Sequence, residues 1–254
     1  MIRPSPALIA AAAALAAGCV ARAPLHPRAA EQLRRGYAYL DARDPERAQI
    51  AFEHALEFDP DLPEALNGLG VVARSRGELE AARRRFETAI RLDGDFAEGH
   101  ANLGETLLAE GRAAEAEAEL RAALRVDPDL ADARQNLARA LLGRGLAAPD
   151  RAPLWASARR EYLHLLESEP DRAAAHHDLA YMDYVEGRWA RAEAGYRRAA
   201  ELAPGSHGAL HGWCISLVRL GRCAEAVRAC ERCLELAPSA DACRTSLRGA
   251  RACE

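Results

Sequence analysis

The chain has 254 residues, half of them hydrophobic but only 5% aromatic, with 34 basic and 38 acidic side chains and a formal net charge of −4. A chain without a cationic surplus is a poor match for phosphate backbones, which argues against nucleic acid as a partner. Every basic residue is arginine, and the run Arg83-Arg84-Arg85 lies among Glu78, Glu80 and Glu87, so it reads as a solvated helix face.

The first element is an apolar run. MIRPSPALIAAAAALAAGC carries one early cation, Arg3, and then uncharged residues from Ala7 to Ala17. That run is too short for a permanent membrane helix and has the length of a secretory signal's hydrophobic region. It ends in LAAGC, Leu15 to Cys19. Ala17 and Gly18 directly before a cysteine resemble a bacterial lipobox, with Ala16 where such signals usually carry leucine. The resemblance implies diacylglycerol transfer to the Cys19 sulfur, cleavage before it and acylation of the new amino terminus. Residues 1–18 are then a signal peptide and 19–28 a lipidated linker. Val20 follows where inner-membrane retention would use aspartate, so the sorting-signal resemblance points to the outer membrane, facing the periplasm. Several acyl chains on one cysteine anchor stably where a single chain is marginal.

Beyond the signal, similar endings recur: LEFDP closing at Pro60, RLDG at Gly94, RVDP at Pro128, ESEP at Pro170, and ELAP at Pro204 and Pro238. They are 34, 34, 42, 34 and 34 residues apart. The unit from Pro63 has Leu66, Leu69, Gly70, Ala82, Phe86 and Ala89, and the next has Leu103, Gly104, Leu107, Ala116, Leu120, Ala123 and Pro128. This period and pattern resemble the tetratricopeptide (TPR) repeat, a helix–turn–helix unit. The resemblance implies an all-α chain: an α-solenoid, a right-handed superhelix of six repeats at 29–62, 63–96, 97–130, 131–172, 173–206 and 207–240, closed by a capping helix at 241–254. The spacing has its own physical sense. Residues at i, i+3 and i+4 share a helix face, so each unit has two apolar stripes that only stacking can bury.

Gly77, Gly111, Gly145, Gly187 and Gly221 fall between paired helices, where a left-handed residue is expected. The fourth unit carries eight extra residues around GRGLAAPDRAPLW, and Pro149 and Pro153 predict a loop there. Trp155 and Trp189 hold equivalent places, so the later repeats stay in phase. Asp183 stands where other repeats have Leu107 and Leu217, and either an arginine partner or a local irregularity is expected there.

Six cysteines crowd the last 41 residues. Stacking would set Cys214 against Cys230 inside the last repeat, and an antiparallel cap would bring Cys243 to Cys233 and Cys253 to Cys223. Of fifteen possible pairings, those three are expected as disulfides that hold the terminal repeat. Two other readings attach to the same region: a redox pair in CERC, Cys230 to Cys233, and a zinc site from His207, His211 and Cys214. The first lies mid-helix without a βαβ context, and an exported chain meets oxidising conditions, so the staple is preferred and no metal or cofactor is expected.

In TPR proteins the first helices line a concave groove. Carried onto this chain, the inward positions are Leu33, Tyr37 and Leu40, then Asn67, Val71 and Arg74, then Asn102, Glu105 and Leu108. The later repeats contribute Gln135, Arg139 and Leu142, then His177, Tyr181 and Tyr184, then His211, Ile215 and Val218. The surface suits an amphipathic helix or an apolar peptide. The lysine-rich carboxylate clamp of some TPR proteins is not expected, since lysine is absent and Glu105 intrudes. His176, His177 and Asp178 adjoin, but neighbours along a helix point apart, and no nucleophile elbow or phosphate loop accompanies them. No enzyme is expected.

Six TPR repeats behind a lipobox resemble the pilotin lipoproteins of type IV pilus systems. That family helps secretin subunits reach, insert into or multimerise in the outer membrane. The second reading is another outer-membrane TPR lipoprotein adaptor, for peptidoglycan enzymes or barrel assembly; the third is the thiol-redox or metal-binding protein. Cys19→Ala is expected to abolish lipid attachment and leave a folded chain in the soluble fraction. Recovery of that variant with membranes at the wild-type level would remove the anchor.

Overall fold

Thirteen helices account for the regular structure among the described residues, 25–253, of the computed structural model. Cys19 and the acylation signal lie outside the described residues. In chain order the helices are α1 (Pro27–Asp41), α2 (Pro45–Phe58), α3 (Pro63–Ser75), α4 (Leu79–Leu92), α5 (Ala97–Ala109), α6 (Ala113–Val126) and α7 (Ala131–Ala147). There follow α8 (Ala152–Ser168), α9 (Ala173–Val185), α10 (Trp189–Leu202), α11 (His207–Arg219), α12 (Cys223–Leu236) and α13 (Asp241–Ala252). Each helix packs on the next, and the odd-numbered helices also touch in sequence, α1 to α3, α3 to α5, α5 to α7, α9 to α11 and α11 to α13. This is a solenoid of helix pairs with α13 over its open end.

Local chemistry sets the helix ends. Pro27, Pro45 and Pro63 open helices at the position where a missing N–H costs nothing. The Asp44 carboxylate accepts from the Arg47 amide and the Ser206 hydroxyl from the Ala209 amide, capping α2 and α11. Gly77, Gly111, Gly187 and Gly221 all have φ between +70° and +78° and turn the first helix of a pair back toward the second. In the first repeat Arg43 takes that conformation, with φ of 56°.

Gly145 departs from the expectation. It lies inside α7, which runs on to Ala147, and a Cβ there would overlap the Trp155 indole. The eight extra residues are therefore mostly helix and not loop. The first helix grows from 13 to 17 residues, the second from 14 to 17, and the connection from three residues to four, 148–151. The prolines sit in or beside that short connection and do not break either helix. Trp155 is buried and its indole N–H donates to the Leu142 carbonyl at 3.2 Å, which ties the two lengthened helices together.

The core repeats a single device. Phe52, Phe86, Leu120, Tyr162, Tyr196 and Cys230 recur on successive second helices, 34 residues apart except for the 42 across the insertion, and all are buried. Phe52 fills the space left by Gly36 and Gly68, Phe86 that of Gly70, Leu120 that of Gly104 and Tyr196 that of Gly212. In each case a Cβ on the glycine would overlap the large side chain.

A second device runs along the junctions. Arg76 donates to Gln49 at 2.6 Å, Arg83 faces Glu110 at 3.6 Å, Arg144 meets Glu117, Arg159 meets Glu186 at 2.7 Å and Arg222 meets Glu193 at 3.5 Å. The first four pairs join residues 27 apart, so equivalent positions carry basic, acidic, basic and acidic side chains in repeats two to five. Asp183, buried at an apolar place in the pattern, meets Arg159 at 2.9 Å, Arg188 at 2.8 Å and Arg191 at 3.5 Å.

Gly70→Ala tests the close approach directly. Alanine is the better helix former by about 1 kcal/mol, yet overlap with the Phe86 ring is expected to make the variant less stable by about 1–3 kcal/mol. Combining it with Phe86→Leu should cost less than the sum of the two single changes in denaturant unfolding. A Gly70→Ala chain as stable as the parent would show that the helices have room to spare.

Candidate protein-binding groove

The odd-numbered helices form one layer, and the residues expected to face inward fall into two groups on it. One group is engaged between repeats. The Tyr37 hydroxyl donates to the Glu64 carbonyl at 3.1 Å, and burial, with the charges of Glu64 and Glu98, pushes its phenol above the ordinary range. Asn102 donates to the Asn67 side-chain oxygen at 2.9 Å, and Arg74 pairs with Glu105 at 2.6 Å while lying over the Phe86 ring. Gln135 accepts from Arg172 at 2.8 Å. Tyr184 packs edge-on to Trp189 with Arg219 over the indole. His211 meets the Ser246 hydroxyl of α13 at 3.0 Å, and burial, with His207 adding to it, lowers its pKa. Asn67 and Leu142 are buried, so they support the groove wall from behind and do not line its surface.

The other group remains partly open: Leu33, Leu40, Val71, Leu108, Arg139, His177, Tyr181, Ile215 and Val218. Two cavities collect several of these. One, of about 450 Å³, is lined by Val71, Arg74, Leu79, Glu105, Leu108, Ala109 and Arg139. The other, of about 440 Å³, is lined by Gln135, Arg139, Ala173, Ala174, His177, Asp178, Ala199, Ala203, Ser206 and Ala209. Arg139 borders both. The second cavity sits between α7 and α9, the junction at which contact along the odd-numbered layer is weakest among the described residues. The lengthened pair α7–α8 lies at this junction, so the insertion coincides with the widest seam in the groove.

Behind the second cavity the Tyr162 hydroxyl donates to Asp178 at 2.7 Å, and the other Asp178 oxygen takes the His177 Nδ1 at 3.0 Å. Burial first, and then the neighbouring carboxylate, drive the Tyr162 phenol far above its ordinary range, so it stays protonated. The imidazole of His177 in turn stands edge-on to Tyr196. This chain of contacts fixes the cavity floor. The alanines of its walls and Ser206 had no distinguishing signal in an alanine-rich sequence.

The sequence profile of the tetratricopeptide repeat matches residues 33–95 and 75–131. Residues 33–131 carry tetratricopeptide repeats, and the same stacking of helix pairs continues through the rest of the described residues. The fold is similar to the structure of PilF from Pseudomonas aeruginosa, with a TM-score of 0.75 and 20% identity over 89% of this chain and 98% of that one. PilW, described as a widely conserved type IV pilus biogenesis factor, gives 0.74 and 20% over 87% and 99%. YrrB, a TPR protein with an unusual peptide-binding site, gives 0.59 and 17% over 78% and 98%. Among curated protein sequences none matches.

The cysteines of the solenoid's last turn meet in three pairs, with sulfurs at bonding distance: Cys214 with Cys230, Cys223 with Cys253 and Cys233 with Cys243. Their Cα atoms are 5.4, 5.6 and 6.3 Å apart, within the range a disulfide spans. His211 turns to Ser246 and Cys214 to Cys230, so His207, His211 and Cys214 do not converge. Non-reducing peptide mapping of the chain produced under oxidising conditions is expected to recover those three linkages. Cys243→Ser should then weaken α12–α13 by about 2–4 kcal/mol, read as faster amide exchange confined to residues 223–253. Free thiols at all six positions would mean that packing alone pairs the sulfurs.

Proposed function

We propose that this chain is a lipid-anchored pilotin: a periplasm-facing TPR scaffold that holds a type IV pilus secretin subunit in its groove during delivery to, or multimerisation in, the outer membrane. TPR repeats are a protein-binding architecture, and a half-open groove with two cavities is where a partner would lie. The observation that carries the more specific reading is the end-to-end likeness to PilF and PilW, which extends over nearly all of both structures and not merely over a shared pair of repeats. The LAAGC sequence supports it by supplying an anchor of the kind a secretin escort needs.

The physical division of labour is simple. Acyl chains on Cys19 would keep the solenoid at the bilayer, where the local concentration of membrane-bound partner is high. The groove would cover apolar secretin surface until subunits meet one another. Tyr181 and Ile215, both half-buried and apolar, stand on the inner layer for that contact. The double variant Tyr181→Ala with Ile215→Arg is expected to keep its helicity and lose at least about tenfold in affinity for the secretin co-purified with the parent chain. Cells carrying it should accumulate secretin monomer at the expense of the multimer. Undiminished multimer together with unchanged co-purification would count against the groove as the secretin site.

A further inference from the structure

We propose that the seam between α7 and α9 recognises an acidic side chain beside a large apolar one on a partner polypeptide, with Arg139 as the anchor for the carboxylate. This rests on the groove-binding reading and adds the chemistry of the segment bound. It differs from the lysine-based clamp, because a single guanidinium and an adjoining apolar wedge make the selection.

The charges of the inner layer lead to Arg139. Arg74 is neutralised by Glu105, Arg172 by Asp132 and Glu169, and Arg219 lies over Trp189. Arg139 is exposed, and no carboxylate of the described residues lies within 4 Å of its guanidinium; its contact is a long one, 3.5 Å, to the Asn136 amide oxygen. It also stands at the rim shared by both cavities, so a segment passing from one to the other crosses it. Asp178, the acidic group that lines the second cavity with Arg139, is engaged by Tyr162 and His177.

An exposed ion pair alone contributes little, about 0–1 kcal/mol. The cavity beside Arg139 supplies what the charge lacks. Its walls include Ala173, Ala174, Ala199, Ala203 and Ala209, small and apolar, which leave room for one bulky side chain beside the polar Gln135, His177, Asp178 and Ser206. A large apolar residue seated there would exclude water from the guanidinium and strengthen a planar, two-bonded contact with the neighbouring carboxylate. Both halves are needed for selection: the wedge without the charge is unselective, and the charge without the wedge is screened by salt.

The test is selection of a displayed random dodecapeptide library on the immobilised chain, on Arg139→Gln, on Arg139→Glu and on the groove variant Tyr181→Ala with Ile215→Arg. The parent chain is expected to enrich peptides with aspartate or glutamate within two residues of a large apolar side chain. Arg139→Gln should lose that preference, and Arg139→Glu should replace it with arginine or lysine. A labelled copy of the leading peptide should bind Arg139→Gln about tenfold more weakly and should be blocked by Ala174→Trp, with circular dichroism melts confirming that each variant is folded. Enriched peptides lacking an acidic residue, or identical on the parent and both Arg139 variants, would overturn this proposal and leave groove binding standing. Failure of the parent to enrich anything beyond the groove variant would overturn both.

Discussion

Every part of this molecule depends on how closely the two helices of a repeat approach. The approach is set where a large side chain of the second helix lies on a glycine, alanine or cysteine of the first: Phe86 on Gly70, Leu120 on Gly104. Burying one such side chain contributes about 1.5–3 kcal/mol, and the missing Cβ opposite lets the backbones close enough to exclude water. Because the contact recurs every 34 residues outside the insertion, most repeats are assembled in the same way and stack their first helices into one layer. The groove is a consequence of that repetition.

The device changes along the chain, and each change alters the surface it supports. Phe52 reaches past Gly36 to Gly68 of the following repeat, so the first junction is filled by one ring. In the fourth repeat Tyr162 replaces the phenylalanine and Asp178 stands in the place of Gly68, so an apolar contact becomes a hydrogen bond. Here the helices are longest and the inner layer is most open. In the sixth repeat two cysteines meet where glycine and phenylalanine met in the second. The terminal repeat lacks a neighbour on one side, and a short loop-closing contact there would limit fraying that inner repeats resist by burial and by their junction ion pairs.

The sequence was legible wherever a residue's role was set by the period. Phe86, Gly70 and Gly77 can be placed from spacing alone, because size and backbone freedom each have one structural meaning at such positions. Gly145 was misread for the same reason: the period assigned it a turn, but the lengthened helix turned it into a seat for the Trp155 ring. Pro149 and Pro153 predict a loop in place of longer helices, yet both helices lengthen around a four-residue connection and Pro153 lies in the first turn of α8. The groove was harder to read. Asn67 and Asn102 share a hydrogen bond that no pattern announces, and the alanines of the second cavity look like every other alanine in the chain. A cavity is defined by what its walls leave out, and a residue string records only what is present.

The alternating charges bear on both stability and function. Repeats two and four carry arginine at Arg76, Arg83, Arg144 and Arg159, while three and five carry glutamate at Glu110, Glu117, Glu186 and Glu193. Neighbours therefore attract, and a repeat stacked on the next but one would face its own sign. Each pair is partly solvated and worth little by itself, yet like charges at a misplaced junction would add cost at several junctions together, which favours sequential stacking over slipped or swapped arrangements. Glu117 and Glu193 are buried against their arginines, so these junctions also resist separation. Arginines consumed in this way cannot attract a ligand. In the groove Arg74 and Arg172 are paired as well, and Arg139, with no carboxylate of the described residues within 4 Å, is chemically distinct from them.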